Sequence, residues 1–249
     1  MKISITSDIH IKEKGDEGYQ YLFSFLKSPK IQNSDKVILL GDIFDLMVGN
    51  RIEYITEFEE IFQLLKKLCE KGVEVYFFEG NHDFHIDRIF KEYFSEFSNK
   101  FKFIKDDKVI INIGKTRMRL SHGDDLEVDN LSYQRYKKVI RSQFIKLLAD
   151  KVVPYRFVRA IGVKASKKSR KRNNKYFNQE DKIKEKFRNY ALKVQEEENI
   201  DVLICGHSHV QDFFITDNFK YINNGYAQKT NSFIYINNQN IEFISLQES

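Results

Sequence analysis

The chain has 249 residues, 41% of them hydrophobic, two cysteines and a formal net charge of +5, which is ample for a sizeable core in one large α/β domain or two small ones. Cys69 and Cys205 fit no ligand or redox spacing and are expected as reduced thiols of a cytosolic protein, with no disulfide framework. The opening MKISITSDIH is interrupted by Asp8 and His10 too early for a signal peptide, and no run approaches the roughly 18 apolar residues of a membrane span, so neither export nor spanning is expected.

Along the chain, short β-type runs alternate with helical patterns. Residues 2–6 read as a strand, Tyr21, Leu22, Phe25 and Leu26 as one helical face, and 36–40 as a second strand. Ile55, Phe58, Ile61, Phe62, Leu65 and Leu68 then line one longer helix, followed by strands at 74–78, 101–104, 109–113 and 117–121. Tyr136, Val139, Ile140, Phe144, Ile145 and Leu148 predict a helix, as do Ile183, Phe187, Tyr190, Ala191 and Val194, before a strand at 202–205. Beyond His209, short segments at 212–216, 219–222, 232–236 and 241–244 are separated by DN, NNG and NNQN and read as a run of antiparallel strands. Strand, helix, strand implies parallel crossovers, so the fold class is α/β, with mixed strands in two stacked sheets flanked by helices.

Charge is unevenly spread. Between Arg135 and Lys193, 20 Lys/Arg face 4 Asp/Glu, a surplus of 16, so the remainder of this +5 chain carries −11. An acidic body therefore carries a basic insert, in which Phe157, Val158, Ile161 and Val163 interleave with Arg156, Arg159 and Lys164 after Pro154, a plausible first helical residue. Such a stretch suits an anionic bilayer surface, or a diphosphate joined to acyl chains; with Tyr155, Phe157, Tyr176 and Phe177 it also permits a nucleic-acid backbone.

The chemistry gathers where strands end. ITSDIH closes the first with Asp8 and His10; LLGDIFD follows the second with Asp42 and Asp45; FFEGNHDFH follows the third with Asn81, His82 and Asp83. RLSHGD then places His122, and ICGHSH places His207 and His209. The carboxyl ends of parallel strands form the ligand crevice of an open α/β sheet, so five strand ends deliver carboxylate, amide and imidazole groups to one region. Oxygen and imidazole donors without thiolate suit Mn, Fe or Zn. Seven donors, Asp8, His10, Asp42, Asn81, His122, His207 and His209, exceed one tetrahedral site and fit two ions sharing a carboxylate. His85 is expected at the surface.

The ordered set D-x-H, G-D-x-x-D, G-N-H-D, H and G-H-x-H, from Asp8 to His209, resembles the calcineurin-like metallophosphoesterase superfamily. The resemblance implies a four-layer sandwich of two mixed sheets between helices, with Asp8, His10, Asp42 and His209 on one metal and Asp42, Asn81, His122 and His207 on the other. It further implies that His82 stabilises charge or donates a proton, oriented by Asp83, with Asp45 behind the ligands.

SHGDDLEVDNLSYQRYKKVIR, with ILLGDIFDLMVGN and GNHDF, is similar to the UDP-2,3-diacylglucosamine hydrolase family of lipid A biosynthesis. That family implies hydrolysis of the diphosphate bond to UMP and 2,3-diacylglucosamine 1-phosphate with two divalent ions, commonly Mn²⁺. Its partners are a UDP-linked lipid and the anionic inner-membrane surface on the cytoplasmic side, with no nucleic acid. It implies substrate contacts at Asn81, His82, Asp129, Asn130, Tyr133 and Ser166. Several family members carry Arg where this chain has His82. One domain over 1–249, with a helical basic lid inserted at 131–198, is expected. Other readings are a metallophosphoesterase acting on nucleotides or nucleic acid, and a metal-bound scaffold without turnover.

Overall fold

The structure, a computed structural model, describes residues 1–105, 108–155, 157 and 179–248. Ser166 and most of the basic run from Arg156 to Phe177 lie outside the described residues.

The first sheet has the order β13-β12-β1-β2-β4-β6. Strands β1 (Lys2–Thr6), β2 (Lys36–Leu39), β4 (Glu74–Phe78) and β6 (Phe101–Ile104) are parallel, and the hairpin of β12 (Ser232–Asn237) and β13 (Asn240–Ser245) adds antiparallel to β1. In the second sheet the order is β10-β11-β9-β8-β7. Its centre, β8 (Thr116–Ser121), β9 (Val202–Cys205) and β11 (Lys220–Asn223), is parallel, while β7 (Lys108–Ile113) and β10 (Asp212–Ile215) are antiparallel edges. A two-residue pairing of β3 (Met47–Val48) with β5 (Asp83–Phe84) completes the strands.

Side chains of a strand alternate faces, and these strands are covered on both, which is why they read as continuous apolar runs. Val37, Leu39, Val75 and Phe77 turn to the helices on the outer side of the first sheet. Ile38, Tyr76 and Phe78 turn inward, where Ile3, Ile5 and Ile236 meet Leu120, Val202, Ile204 and Ile222 of the second sheet. Leu203 and Cys205 face the other way, under Phe187, Tyr190 and Ala191. The layers are therefore helix, sheet, sheet, helix, the four-layer sandwich the sequence implied.

Helix α1 (Glu17–Lys27) starts where Asp16 Oδ1 accepts from the Tyr19 amide at 2.7 Å, and it buries Tyr21, Leu22, Phe25 and Leu26 as its spacing predicts. After the single-turn α2 (Pro29–Gln32), the longer expected helix is divided: α3 (Ile52–Glu57) and α4 (Glu59–Glu70) meet at Phe58, whose backbone (φ −111°, ψ 29°) leaves the helical region. All six predicted apolar positions are buried nonetheless, because the bend keeps both halves on the same sheet. Helix α5 (Asp87–Tyr93) adds Ile89 and Phe90 to that layer.

Two further expectations are corrected. The segments after His209 are not one antiparallel run: β11 pairs in parallel with β9 of the second sheet, β12 pairs antiparallel with β1 of the first, and residues 224–231 cross between sheets. A strand buried on both faces carries no local mark of which neighbour it will pair with. The helix expected through 136–148 is divided into α6 (Leu131–Ile140) and α7 (Gln143–Leu147), with Ser142 capping the second, followed by a π turn at Leu148–Val152. Helix α8 (Glu180–Glu198), whose pattern belonged to the basic insert, packs on the second sheet; a short helix, α9 (Ala227–Thr230), lies in the crossing segment. Among the described residues, no helix is long and apolar enough to cross a membrane.

Candidate metal centre

The seven donors stand on loops just past the strands rather than on the strands themselves. Strand β1 stops at Thr6, and Asp8 (φ 51°) and His10 (φ 53°) follow in left-handed backbone; Asp42 (φ 53°), His207 (φ 66°) and His209 (φ 58°) adopt the same conformation after their strands. Each such residue costs roughly 1–3 kcal/mol, tolerated where the surroundings over-determine it. Here they do: the amides of Ile9 and His10 both donate to Asp42 O at 3.0 Å, and the His207 amide donates to both Asp8 carboxylate oxygens at 3.0 Å. Alternating left-handed residues, not strand periodicity, aim the i and i+2 side chains of D-x-H and H-x-H into one volume.

Two glycines make room. A Cβ on Gly80 would stand 2.2 Å from Asp42 Oδ1, and one on Gly206 would stand 2.1 Å from Asp8 Oδ2, so neither position accepts a larger residue without moving a carboxylate.

The donors form two adjoining groups. In the first, His10 Nε2 lies 3.1 Å from His209 Nε2 and 3.8 Å from Asp42 Oδ2, and His209 Nε2 lies 3.4 Å from Asp8 Oδ1. In the second, Asn81 Oδ1 lies 3.0 Å from His122 Nε2 and 3.1 Å from His207 Nδ1, with Asp42 Oδ2 3.5 Å from His122 Nε2. Asp42 borders both. Ligands about 2.1 Å from one divalent ion stand roughly 3 Å or a little more apart, so these separations are those of coordination edges.

Electrostatics point the same way. Asp8 is fully buried and Asp42 is 1% exposed. Burial alone would raise Asp42, but His122, His82 and His10 outweigh it and hold its carboxyl well below the ordinary range. Burial would likewise lower His122, yet Asp42, with Asp8 and Asp124 behind it, pushes that imidazole up to about 10. Two buried carboxylates facing a ring of imidazoles suit cations, and the donor set fits divalent ions.

Outer contacts orient the rings. His122 Nδ1 donates to Leu40 O at 2.9 Å, His207 Nε2 faces Glu127 Oε2 at 3.8 Å, and His10 Nδ1 lies 3.7 Å from Asp45 Oδ1. His82 Nδ1 donates to Asp45 O at 2.8 Å. Asp83 does not orient that ring: its buried carboxylate accepts from the amides of Asp42 (3.0 Å), Ile43 (2.7 Å), Phe44 (3.2 Å) and Gly80 (2.8 Å). It ties the G-D-x-x-D loop to the G-N-H-D loop, and burial together with Asp42 pushes it up to about 7 against the pull of those amides.

Other sequence assignments move too. His85 is 3% exposed, not at the surface, and its Nε2 meets Ile140 O at the end of α6 at 2.9 Å. Asn130 caps α6, accepting from the Tyr133 amide at 3.1 Å, and the exposed Asp129 lies 3.9 Å from Lys193 Nζ. Tyr133 stays beside the donors, its ring 5.4 Å from that of His207. Sequence reasoning missed Glu127, five residues after His122, and Tyr226, whose ring stacks on His209 at 5.5 Å. In the sequence the NNG turn before Tyr226 is only a hairpin signal and says nothing of how near that ring lies to the donors.

The calcineurin-like phosphoesterase family matches residues 1–211. A UDP-2,3-diacylglucosamine hydrolase of Wigglesworthia glossinidia brevipalpis is 31% identical over 239 residues, 95% of this chain and 91% of its own length. One from Histophilus somni (strain 129Pt) is 25% identical over 211 residues, 85% of each chain. A solved archaeal phosphodiesterase has a TM-score of 0.49 at 16% identity, over 98% of this chain and 99% of its own.

Proposed function

This chain belongs to the calcineurin-like phosphoesterase family, and on that premise we propose that it hydrolyses the diphosphate bond of UDP-2,3-diacylglucosamine, releasing UMP and 2,3-diacylglucosamine 1-phosphate for lipid A biosynthesis. Asp8, His10, Asp42 and His209 hold one divalent ion, and Asp42, Asn81, His122 and His207 the other, both Mn²⁺ in this reading. A pair of such ions clamps a phosphoryl oxygen and supplies hydroxide at neutral pH. The chain's own groups do the rest. His82, fixed through Nδ1 by the Asp45 carbonyl, presents Nε2 to the phosphoryl group, and Asn81 and Tyr133 contact the substrate around it. Asp83 acts through the two loops it joins. Within one domain over 1–249, residues 131–198 form the lid, and Ser166 is a lipid contact within it.

The observation that carries the lipid reading is the exposed surface of the helical segment that adjoins the donors through Tyr133. Leu131 (68%), Val139 (60%), Phe144 (67%) and Phe157 (64%) are far more exposed than apolar side chains of a closed surface, and they alternate with Arg135, Lys138 and Lys146. Apolar side chains among cations match acyl chains next to phosphates, and an anionic inner-membrane face to which the protein binds peripherally from the cytoplasm. A nucleic-acid surface fits less well: Tyr155, counted as a stacking platform, packs edge-on against Tyr54 with ring centroids 5.1 Å apart. The deciding assay supplies purified protein, Mn²⁺ and UDP-2,3-diacylglucosamine in detergent, with Asp42→Ala as control. UMP from the wild type alone supports the reading; hydrolysis of a generic aryl phosphodiester without UMP would sink it.

A further inference from the structure

The first donor group is braced by a segment that carries none of its ligands. Residues 223–228 follow β11, beyond the stretch 1–211 that matches the family, and they are bonded to both loops that bear Asp8, His10 and His209. On the G-H-x-H side, Asn223 Nδ2 donates to Gly206 O at 2.6 Å and the Asn224 amide to Cys205 O at 3.0 Å. On the D-x-H side, Asn224 Nδ2 donates to Ser7 O at 3.3 Å, the Ala227 amide to Asp8 O at 3.3 Å, and Gln228 Nε2 to Ile9 O. Buried carbonyls past the end of a strand need partners from elsewhere, and this segment supplies them. A Cβ on Gly225 would stand 2.7 Å from the Gln211 backbone nitrogen, so the segment lies flush against the chain two residues past His209.

One side chain of the segment reaches the donors themselves. The half-buried Tyr226 lays its ring nearly parallel to that of His209, with centroids 5.5 Å apart and planes at 22°, and 5.9 Å from that of His10. Those separations are those of offset stacking. The other three imidazoles of the two donor groups have polar groups behind them: Leu40 O for His122, Glu127 for His207 and Asp45 for His10. His209 is the most exposed of the four, its side chain 27% accessible against 2 to 13% for the rest. Its polar neighbours among the described residues, His10 and Asp8, belong to its own donor group. Turning the imidazole about its last side-chain bond would swing Nε2 away from Asp8 and drive the ring edge into the face of Tyr226. A flat ring there therefore does for His209 what a hydrogen bond does for the others.

We propose that Tyr226 is a positioning residue for the first ion, its ring holding the imidazole of His209, and less closely that of His10, in the orientation that binds metal. This rests on the two-ion reading above and not on the choice of substrate. A ligand ordered before the ion arrives need not be ordered by it, so the contribution is felt as affinity for one ion of the pair.

The test counts ions and not product. Metal-free wild type, Tyr226→Phe and Tyr226→Leu are titrated with Mn²⁺ by calorimetry and followed by electron paramagnetic resonance, in which a coupled pair of Mn²⁺ ions and an isolated ion give different spectra. The wild type and Tyr226→Phe, which keeps the flat ring, should bind two ions alike. Tyr226→Leu, which fills the space without a flat face, should bind one ion about tenfold or more weakly and show the isolated-ion spectrum at Mn²⁺ concentrations that give the coupled one in the wild type. Repeating Tyr226→Leu on Asn81→Ala, which keeps all four ligands of the first ion, identifies the ion affected: the one that remains should be weakened by a similar factor. Equal affinities in Tyr226→Leu and wild type, a loss in Tyr226→Phe, or no added loss on Asn81→Ala would overturn the proposal. So would a metal-free melting temperature that falls in step with the affinity, since Tyr226 would then be a packing residue only. A wild type that binds fewer than two ions would overturn the two-ion reading and this inference with it.

Discussion

The donor loops and the helical segment from Leu131 to Tyr155 adjoin one another, yet they are held in opposite ways. The loops are buried, cross-tied by backbone hydrogen bonds such as those to the Asp42 carbonyl and the Asp83 carboxylate, and strained at five of their seven donors. The segment is attached at its inner edge by side chains: Asn50 donates to Asp150 through its backbone amide at 2.6 Å, Arg51 Nε to Ala149 O at 2.7 Å and Lys146 to Asp87 at 2.8 Å. Its outer edge leaves Tyr136, Val139, Phe144 and Leu147 half exposed or more. Metal ligands must not move by even an ångström, which calls for backbone ties. A surface that meets acyl chains of varied shape does better with polar anchors and free apolar side chains.

The sharpest attack on the rigid side is Asp42→Ala, which removes the carboxylate bordering both donor groups. We expect a loss of about a thousandfold or more in kcat on every phosphoester, with bound metal, counted by atomic emission, falling below two ions per chain. Gly206→Ala tests the rigidity itself, since its methyl would enter the space of Asp8. Weakened metal binding, seen as a lost rise in melting temperature when Mn²⁺ is added, is expected; normal metal titration would mean the loop yields more easily than its ties imply.

On the other side, Val139→Ser with Phe144→Ser should raise KM for the lipid several-fold relative to that for an aryl diester and lower recovery on anionic vesicles, with stability changed by no more than about 0.5 kcal/mol. Equal effects on both substrates would erase the distinction between the regions. Asn130→Ala removes the cap of α6 and should cost about 1 kcal/mol of stability, with any activity change falling on the lipid substrate first.

The smallest effect is expected in the body, away from both. Lys36, with Tyr76 and Lys102 and against partial burial, holds Glu74 at about 2. A lowered carboxylate contributes stability above its unfolded value of 4.5 that is lost as pH falls towards 2. Glu74 is 29% exposed, so solvent screening keeps that contribution under about 1 kcal/mol. Glu74→Gln should therefore lower the melting temperature slightly at pH 7 and not at pH 2.

How much of this was legible beforehand differs with the range of the interaction involved. Each strand of the two large sheets was visible because burial on its faces leaves a local apolar run, while the two-residue β3 and β5 were not; every candidate donor stood out after such runs, most of them in Gly-Asp, Gly-Asn-His-Asp and Gly-His-x-His spacings. The left-handed backbone that aims Asp8 and His209 was not visible, since non-glycine residues adopt it only when distant loops enforce it. Sequence by itself determined the layers, the donor set and the basic insert. Tertiary structure alone decided that β11 joins β9 and not β12, that Asp83 serves backbone amides and not His82, that His85 is buried under α6, and that Lys137 and Arg141 converge on Asp124. Those outcomes depend on contacts between residues 13 to 55 apart in sequence, and local spacing holds no information about which of several polar partners will be nearest once the layers close.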